Sequence, residues 1–239
     1  KAGAFTLENI MAIAQPERLN ALLRSLKLSL VSTAICLVLA YPLAMILKSL
    51  KVGRGSFIVF IFILPMWMNF LLRTMAWQTL LDHNGVINNI LRFFNLPELK
   101  IINTQAAIIF GMVYNFLPFM VLPIYNVLVK IGDDTVEAAR DLGASRIKAF
   151  WTVSFKLTLP GLLSGIILTF IPSMGLFFIA DILGGNKIVL VGSLIQEQMT
   201  RVGDWPFAAA LAVVLMVLTT LMIMLYRKIT NVKELEGIG

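Results

Sequence analysis

The sequence contains a single cysteine, a single histidine and few charged residues. Cys36 lies inside an apolar run, so an intramolecular disulfide and a cysteine-based zinc site are excluded. His83 stands alone in the segment LDHNG, which is typical of a turn, and we predict no metal site. No serine–histidine–aspartate set or pair of carboxylates suggests catalysis, so we predict no catalytic residue and no enzymatic activity.

The scarcity of charge accompanies long apolar runs. Only 14% of the 239 residues are charged and 59% are hydrophobic, whereas about a quarter of the residues in a soluble domain are charged. Five runs are long enough, at about 20 residues, to cross a bilayer as helices. They are residues 25–47, 57–81, 104–129, 157–183 and 206–226. We therefore predict an all-α integral membrane protein, a polytopic helical bundle with five transmembrane helices in this chain.

The net charge of +7 reflects basic residues that cluster between the apolar runs. This placement indicates membrane orientation, and we predict no nucleic-acid partner. Eleven lysines and arginines lie in segments 48–56, 130–156 and 227–239, against eight in the segments of the opposite side. The first set is predicted to be cytoplasmic, with the C-terminus inside and the N-terminus outside. The first 20 residues lack a signal-peptide pattern, so we expect a sixth, earlier helix to be missing from this chain.

The stretch between the third and fourth runs, residues 130–156, is polar. Asp134 is predicted to cap a helix, with Glu137 at its third position, as in a capping box. Gly143 fits the left-handed residue that follows a helix, and Ser145 is predicted to cap a second short helix. We therefore expect two short helices joined by a glycine turn outside the membrane.

The first of these helices has a small centre and a charged rim. Ala138 and Ala139 give it a low profile, and Glu137, Arg140 and Asp141 supply the charge. A short helix of this kind fits a groove on another protein. The same pattern of residues would equally suit a helix that packs back on its own bundle, and the residues alone leave both interpretations open.

The segment EAARDLG, residues 137–143, is followed by Val153, by Phe155 and Lys156, and by Pro160-Gly161. Glu-Ala-Ala and the glycine at this spacing resemble the EAA loop of the permease subunits of bacterial ABC importers. That family usually has isoleucine where Val153 stands, and Leu-Pro where Phe155 and Lys156 stand. The resemblance implies the type I importer permease fold, with residues 1–239 as a single transmembrane permease domain. It also implies that residues 130–156 form a cytoplasmic coupling loop, in which residues 137–141 and Gly143 dock on an ATPase.

Three further segments resemble the polyamine branch of this family. They are LPFMVLPIY (117–125), PSMGLFFIADILGG (172–185) and DWPFAAA (204–210). The resemblance implies a permease for spermidine and putrescine in a bacterial cell membrane. Two alternatives stay open: a permease of the same family for a phosphonate or another organic cation, and a secondary transporter. A secondary transporter would usually show internal repeats, and we see none.

The resemblance also implies partner proteins. They are a second permease subunit, a cytoplasmic ATPase dimer that binds ATP and magnesium, and an extracytoplasmic polyamine-binding protein. The chain has no Walker A pattern, so we expect no cofactor in it.

A polyamine requires carboxylates, carbonyls and aromatic faces. Asp181 is the acidic residue predicted to lie in an apolar run and meet the substrate, although pairing with Arg73 would also explain it. The other candidates for the substrate path are Tyr114, Asn115, Tyr125, Trp67 and Asn69. Asp204 and Trp205 are predicted to contact the binding protein or form an outer gate, or else to form a turn with Pro206.

Overall fold

The computed structural model describes residues 8–50, 57, 60 and 64–229, and this part of the chain is all-α, without a β-strand. The fold class predicted from the sequence is therefore confirmed. The helices with described bounds before the polar loop are α1 Glu8–Ile13, α2 Pro16–Ser49, α3 Phe70–Leu81, α4 Val86–Phe93 and α5 Gln105–Lys130. The later helices are α6 Asp133–Asp141, α7 Arg146–Ala149, α8 Phe155–Met174, α9 Phe178–Leu183, α10 Val191–Glu197 and α11 Trp205–Ile229. A 3-10 turn forms Leu64–Trp67, and π-helical turns form Phe150–Ser154 and Gln198–Val202.

Four helical stretches among the described residues are long and apolar enough to cross a membrane. They are Pro16–Ser49, Gln105–Lys130, Arg146–Met174 and Trp205–Leu225. Each overlaps one of the five predicted runs, so four of the five predicted spans are present as continuous helices. At 21 to 34 residues, each matches or exceeds the length of about 20 residues that a bilayer requires.

The remaining predicted span, residues 57–81, is interrupted in its described part. The 3-10 turn Leu64–Trp67 is followed by non-helical Met68 and Asn69, and α3 then runs for only 12 residues. The Asn69 side chain accepts hydrogen bonds from the amides of Leu71 and Leu72, at 2.8 and 3.3 Å. The prediction of one continuous helix was wrong here, because Asn69 begins a new helix. Residues 58–59 and 61–63 of this run lie outside the described residues.

The fourth predicted span also has different ends. It was predicted over residues 157–183, but the helix ends at Met174, and α9 is a separate helix after Gly175. A Cβ atom on Gly192 would lie 2.3 Å from the carbonyl oxygen of Gly175. The break in the helix therefore packs against α10, a distant contact that the apolar pattern does not reveal.

The chain divides into two compact units. The first comprises residues 1–32, 68–114 and 171–226, and the second comprises residues 33–67, 115–170 and 227–239. The division falls inside helices α2, α5, α8 and α11. That residues 1–239 act as one permease domain stays a prediction.

The first unit has an apolar core in which α11 packs with the first helices and α10. The core residues are Ile13, Leu22, Val191, Phe207 and Leu211. Arg18 closes one side of this core, because its guanidinium lies 4.3 Å from the centre of the Phe207 ring and donates to the Ala12 carbonyl.

The second unit contains a close approach of α8 to α5. A Cβ atom on Gly161 would lie 2.7 Å from the carbonyl oxygen of Pro123, and one on Gly165 would lie 2.8 Å from the sulfur of Met120. These two glycines are four residues apart, so they lie on one face of α8 and allow the two backbones to approach. The glycine of the Pro160-Gly161 pair therefore has a direct packing role.

Candidate functional site

The polar loop of residues 130–156 is the first candidate site, and its first helix begins earlier than the sequence predicted. Helix α6 starts at Asp133, with Gly132 as its N-cap and no side-chain hydrogen bond to the cap. Asp134 therefore lies inside the first turn, and Glu137 lies beyond the third position. The predicted capping box is wrong. As an acidic residue in the first turn, Asp134 favours the positive end of the helix dipole instead.

The end of α6 has the predicted geometry. Gly143 has φ of +87°, which is the left-handed conformation that glycine adopts at no steric cost. The amide of Gly143 donates to the Arg140 carbonyl at 2.9 Å, and the amide of Ala144 donates to the Ala139 carbonyl at 3.1 Å. These two bonds form a Schellman motif, which ends the helix with its last carbonyls satisfied.

The second half of the loop differs from the prediction. The Ser145 hydroxyl accepts from the Lys148 amide at 3.3 Å and caps α7, as predicted. However, α7 continues through the π-helical turn Phe150–Ser154 into α8, so one helix runs from Arg146 to Met174. The predicted separate short helix is therefore the first part of a membrane span. No glycine or proline lies between Arg146 and Lys156 to break it.

The π-helical turn is surrounded by aromatic side chains. The rings of Phe150 and Trp151 lie 5.1 Å apart, and those of Trp151 and Phe155 lie 5.0 Å apart. Ring pairs at such separations stabilise their local arrangement beyond simple burial. The end of the loop is therefore held by packing, and π-helical turns of this kind occur often at functional sites.

Large apolar side chains of the loop are exposed. Leu142 is 90% exposed, Ile147 is 73% exposed and Trp151 is 57% exposed. Glu137, Arg140 and Asp141 are also exposed, and they line a polar cleft of about 470 Å³ with Ala144, Ser145 and Arg146. Exposed apolar residues beside a charged rim are what a docking surface requires. Of the two interpretations left open by the sequence, this arrangement favours docking on a partner.

Asp181 lies on the short helix α9 rather than in a membrane span. Its carboxylate is half-buried and accepts a hydrogen bond from the Ser193 hydroxyl at 3.0 Å. This contact fixes Asp181 against α10. The predicted contact of Asp181 with a substrate stays a prediction.

Tyr114 lies half-buried on α5, in an aromatic group of the first unit. Its ring lies 5.1 Å from that of Trp77, and the guanidinium of buried Arg73 lies 5.5 Å from its centre. Arg73 also lies 5.7 Å from the Phe70 ring. These cation–π contacts give Arg73 a structural role in this aromatic group.

The remaining candidates for the substrate path are distributed over both units. Asn69, in the first unit, caps α3 and so has a structural role. In the second unit, Asn115 is buried, Tyr125 is half-buried, and Trp67 is 78% exposed with its ring 5.9 Å from that of Phe60. Their contact with a substrate stays a prediction.

Asp204 and Trp205 begin the last helix. The Asp204 carboxylate accepts a hydrogen bond from the Phe207 amide at 3.1 Å, as an N-cap residue does. Of the predicted alternatives for Asp204, the structural turn therefore describes its local geometry. Trp205 is exposed and lines a mostly apolar cavity of about 330 Å³. The other lining residues are Gly175, Phe177, Gly192, Ile195, Gln196, Met199 and Thr200. Sequence reasoning missed this cavity, because it depends on the close contact of Gly175 with Gly192.

Sequence reasoning also missed an ionic cluster that joins the turn between α3 and α4, α4 itself and the loop after α4. Glu98 accepts from the Arg92 Nε atom at 2.9 Å, and its other oxygen lies 3.0 Å from Nδ1 of His83. The hydrogen bond from Arg92 holds the pKa of the Glu98 carboxyl below its ordinary value. His83 is therefore part of an ordered cluster, which its position in a turn did not reveal.

Comparisons with known proteins agree with this architecture. The family model of the binding-protein-dependent transport system inner membrane component matches residues 10–231. The spermidine/putrescine transport system permease protein PotB of Escherichia coli K12 is 38% identical over 224 residues, which cover 93% of this chain and 82% of that protein. PotB of Haemophilus influenzae is 37% identical over 237 residues, which cover 97% of this chain and 83% of that protein.

A solved structure shares the fold. It is a bacterial alginate ABC transporter in complex with an alginate pentasaccharide-bound periplasmic protein. The match has a TM-score of 0.79 at 16% identity, and covers 95% of this chain and 84% of that chain. Four helices among the described residues that are long and apolar enough to cross a membrane, this fold and a family match over most of the sequence lead to one conclusion. The chain belongs to the family of binding-protein-dependent transport system inner membrane components, as a multi-pass membrane transport subunit.

Proposed function

We propose that this chain is a permease subunit of an ATP-driven ABC importer for polyamines such as spermidine and putrescine. The relatives named as spermidine/putrescine permeases, at 37 to 38% identity over most of the chain, are the observation that carries the proposal. The segments 117–125, 172–185 and 204–210 support the same substrate class. A second permease subunit would complete the translocation path.

The exposed loop supports the proposed coupling to a separate ATPase. Residues 137–141 and Gly143 would dock in a cleft of that ATPase, with Glu137, Arg140 and Asp141 at the rim and Leu142 as an apolar contact. ATP and magnesium would bind on the partner. In the orientation predicted from the basic residues, the loop and the C-terminus would lie in the cytoplasm, and Asp204 and Trp205 would lie on the extracytoplasmic side.

A transport cycle can be proposed on the basis of this docking. An extracytoplasmic binding protein would deliver the polyamine near Asp204 and Trp205. When ATP binding closes the ATPase dimer, the docked α6 would be displaced and would carry α8 with it, because α7 and α8 form one helix. The membrane helices would then alternate between inward-open and outward-open arrangements. Asp181 would attract the ammonium groups along this path.

Uptake of radiolabelled spermidine tests the substrate class. Cells that lack this gene are compared with cells that carry it, and the neighbouring transporter genes are present in both. Unlabelled putrescine and an aminophosphonate serve as competitors. Uptake that depends on the gene and is competed only by polyamines is the expected result. Uptake that is unchanged by loss of the gene would contradict the polyamine assignment, and competition by the aminophosphonate would favour a different cargo.

A further inference from the structure

We propose that one face of α2 links the two ends of the coupling loop, with Lys48 holding its start and Tyr41 holding its end. Both are positioning residues, since neither is exposed on the docking surface. The proposal rests on the loop being the ATPase dock, and it assigns to α2 the task of making both ends of that dock move together.

The contact at the start of the loop joins α2 to the end of α5. The Nζ atom of Lys48 donates to the carbonyl of Ile131 at 3.0 Å. Ile131 is the first residue after α5, and the next residue, Gly132, is the N-cap of α6. Carbonyls at the end of a helix carry partial negative charge, so a lysine there makes a favourable, charge-assisted bond. The base of α6 is thereby tied to α2.

The contact at the end of the loop joins α2 to α8. The Tyr41 hydroxyl lies 3.0 Å from the Thr158 hydroxyl, and Thr158 donates to the Phe155 carbonyl at 2.9 Å. A hydroxyl has one proton to donate, so Tyr41 is the donor to Thr158. The resulting chain of two hydrogen bonds runs from α2 to the residue that follows the π-helical turn.

The ring of Tyr41 contacts the same turn. It meets the Phe150 ring edge-on at 5.5 Å and lies 5.9 Å from the Phe155 ring. Tyr41 is 8% exposed and Thr158 is fully buried. A hydrogen bond between two buried hydroxyls is costly to break, because neither group can turn to water instead.

The two contacts lie on the same face of one helix. Tyr41 and Lys48 are seven residues apart, which is close to two full turns of an α-helix. Ala40, Ala44 and Leu47 are buried on this face. Because a helical segment of two turns is stiff, a displacement at one end of the loop is passed to the other end through α2 as well as along the loop.

The test measures hydrogen exchange in the assembled transporter without substrate. Tyr41→Phe removes the hydroxyl and keeps the ring, so the packing against Phe150 is retained. We expect exchange to rise by about three- to tenfold, the range of one lost hydrogen bond. The rise is expected at residues 150–158 and also at residues 131–135, at the opposite end. Lys48→Met is expected to raise exchange at both ends, and Lys48→Arg to restore it.

A second measurement uses transport. In proteoliposomes with the partner subunits and binding protein, Tyr41→Phe is expected to lower spermidine uptake per ATP hydrolysed by about threefold. Thr158→Val is expected to lower it similarly, and the double variant no further, because both remove the same bond. Thr219→Val is the control, since the Thr219 hydroxyl bonds only to carbonyls of its own helix.

Several outcomes would overturn the proposal. Exchange that rises only at the end nearest the substitution would mean that the contacts are local and do not link the ends. Effects of Tyr41→Phe and Thr158→Val that multiply would mean that the hydroxyls do not act as a pair. Absence of spermidine-dependent hydrolysis in the unmodified transporter would contradict the proposed cargo, and hydrogen exchange would still decide whether α2 links the loop.

Discussion

The amide of Ala144 donates to the carbonyl of Ala139 at 3.1 Å, across a turn in which Gly143 adopts the left-handed conformation. This bond ends α6 and directs the chain away from the helix axis. Leu142, immediately before the glycine, is left almost fully exposed. The backbone of the turn thus presents an apolar side chain next to the charged residues of α6.

Glu137→Lys is expected to abolish ATP-driven uptake. Glu137 is exposed on α6, and reversing its charge at an interface matched to an acidic residue costs several kcal/mol in association. Membrane insertion and folding should be retained, because the residue has no buried packing. Uptake in cells and copurification of the ATPase with the chain are the measurements. Lys187→Glu, at an exposed site outside the loop, is the matched charge reversal; uptake by Glu137→Lys at the rate of this control would contradict the docking role.

Gly143→Ala is expected to destabilise the end of α6 by about 1–2 kcal/mol, because alanine adopts the left-handed conformation at that cost. Gly132→Ala is the matched control. A Cβ atom would have free space at either glycine, but only Gly143 has a positive φ. Hydrogen exchange at the amides of residues 142–144 should be at least fivefold faster in the first variant. Equal exchange in the two variants would show that the left-handed turn does not determine the stability of the helix end.

Asp181→Asn is expected to raise the KM for spermidine about tenfold, which corresponds to 1.4 kcal/mol, if the carboxylate attracts an ammonium group. Asparagine retains an oxygen that can accept from Ser193, so the substitution removes mainly charge. Ser193→Ala removes the hydrogen bond and keeps the charge. A KM that rises with Ser193→Ala but not with Asp181→Asn would assign to Asp181 a purely structural role.

The Glu98 carboxyl should make the loop after α4 sensitive to acid. The pKa of Glu98 is held below its ordinary value, chiefly by the Arg92 hydrogen bond. The carboxylate therefore stabilises the folded loop fully at pH above the ordinary pKa. The effect is lost as pH falls through the depressed pKa. Arg92→Met should move this loss to higher pH. Hydrogen exchange of the Leu99 amide, which donates to the Asn88 side chain at 2.7 Å, reports on the loop after correction for intrinsic rates.

Lys100→Met is the control for this pH dependence. Lys100 also lowers the pKa of Glu98, but it is the smallest of the contributing charges. The midpoint of loop opening should therefore shift less in this variant than in Arg92→Met. If the unmodified protein, Arg92→Met and Lys100→Met all had the same pH midpoint of loop opening, the hydrogen bond from Arg92 would not control the titration of Glu98.

Local signals in the sequence predicted the features that depend on a few neighbouring residues. The apolar runs predicted four continuous spans, and Gly143 predicted the end of α6. Ser145 was predicted to cap a helix, and its hydroxyl does so. Asn69 and Asp204 are also caps. Asn69 was interpreted as a possible substrate contact, whereas a turn with Pro206 was one of the interpretations of Asp204.

Features that depend on distant contacts were not predictable in this way. The helix break at Gly175 packs against Gly192, which comes 17 positions later in the sequence and carries no sign of that contact. The cluster of His83, Arg92 and Glu98 likewise forms only when the loop folds. The predicted capping box at Asp134 was wrong because the helix begins earlier, at Asp133, with Gly132 as its N-cap. Both Gly132 and Asp134 are acceptable N-cap residues, so local propensity did not decide between them.

The continuous helix from Arg146 to Met174 makes the loop mechanically asymmetric. At its start, the backbone at Gly132 separates α5 from α6, beside the Ile131 carbonyl that Lys48 binds. At its far side the helix passes through the π-helical turn without interruption for 29 residues, about 44 Å of rise. The two ends of the loop therefore differ: its start is a short connection between two helices, and its end is one continuous helix. If a partner docks on the exposed face of the loop, displacement of the loop would tilt or rotate that continuous helix.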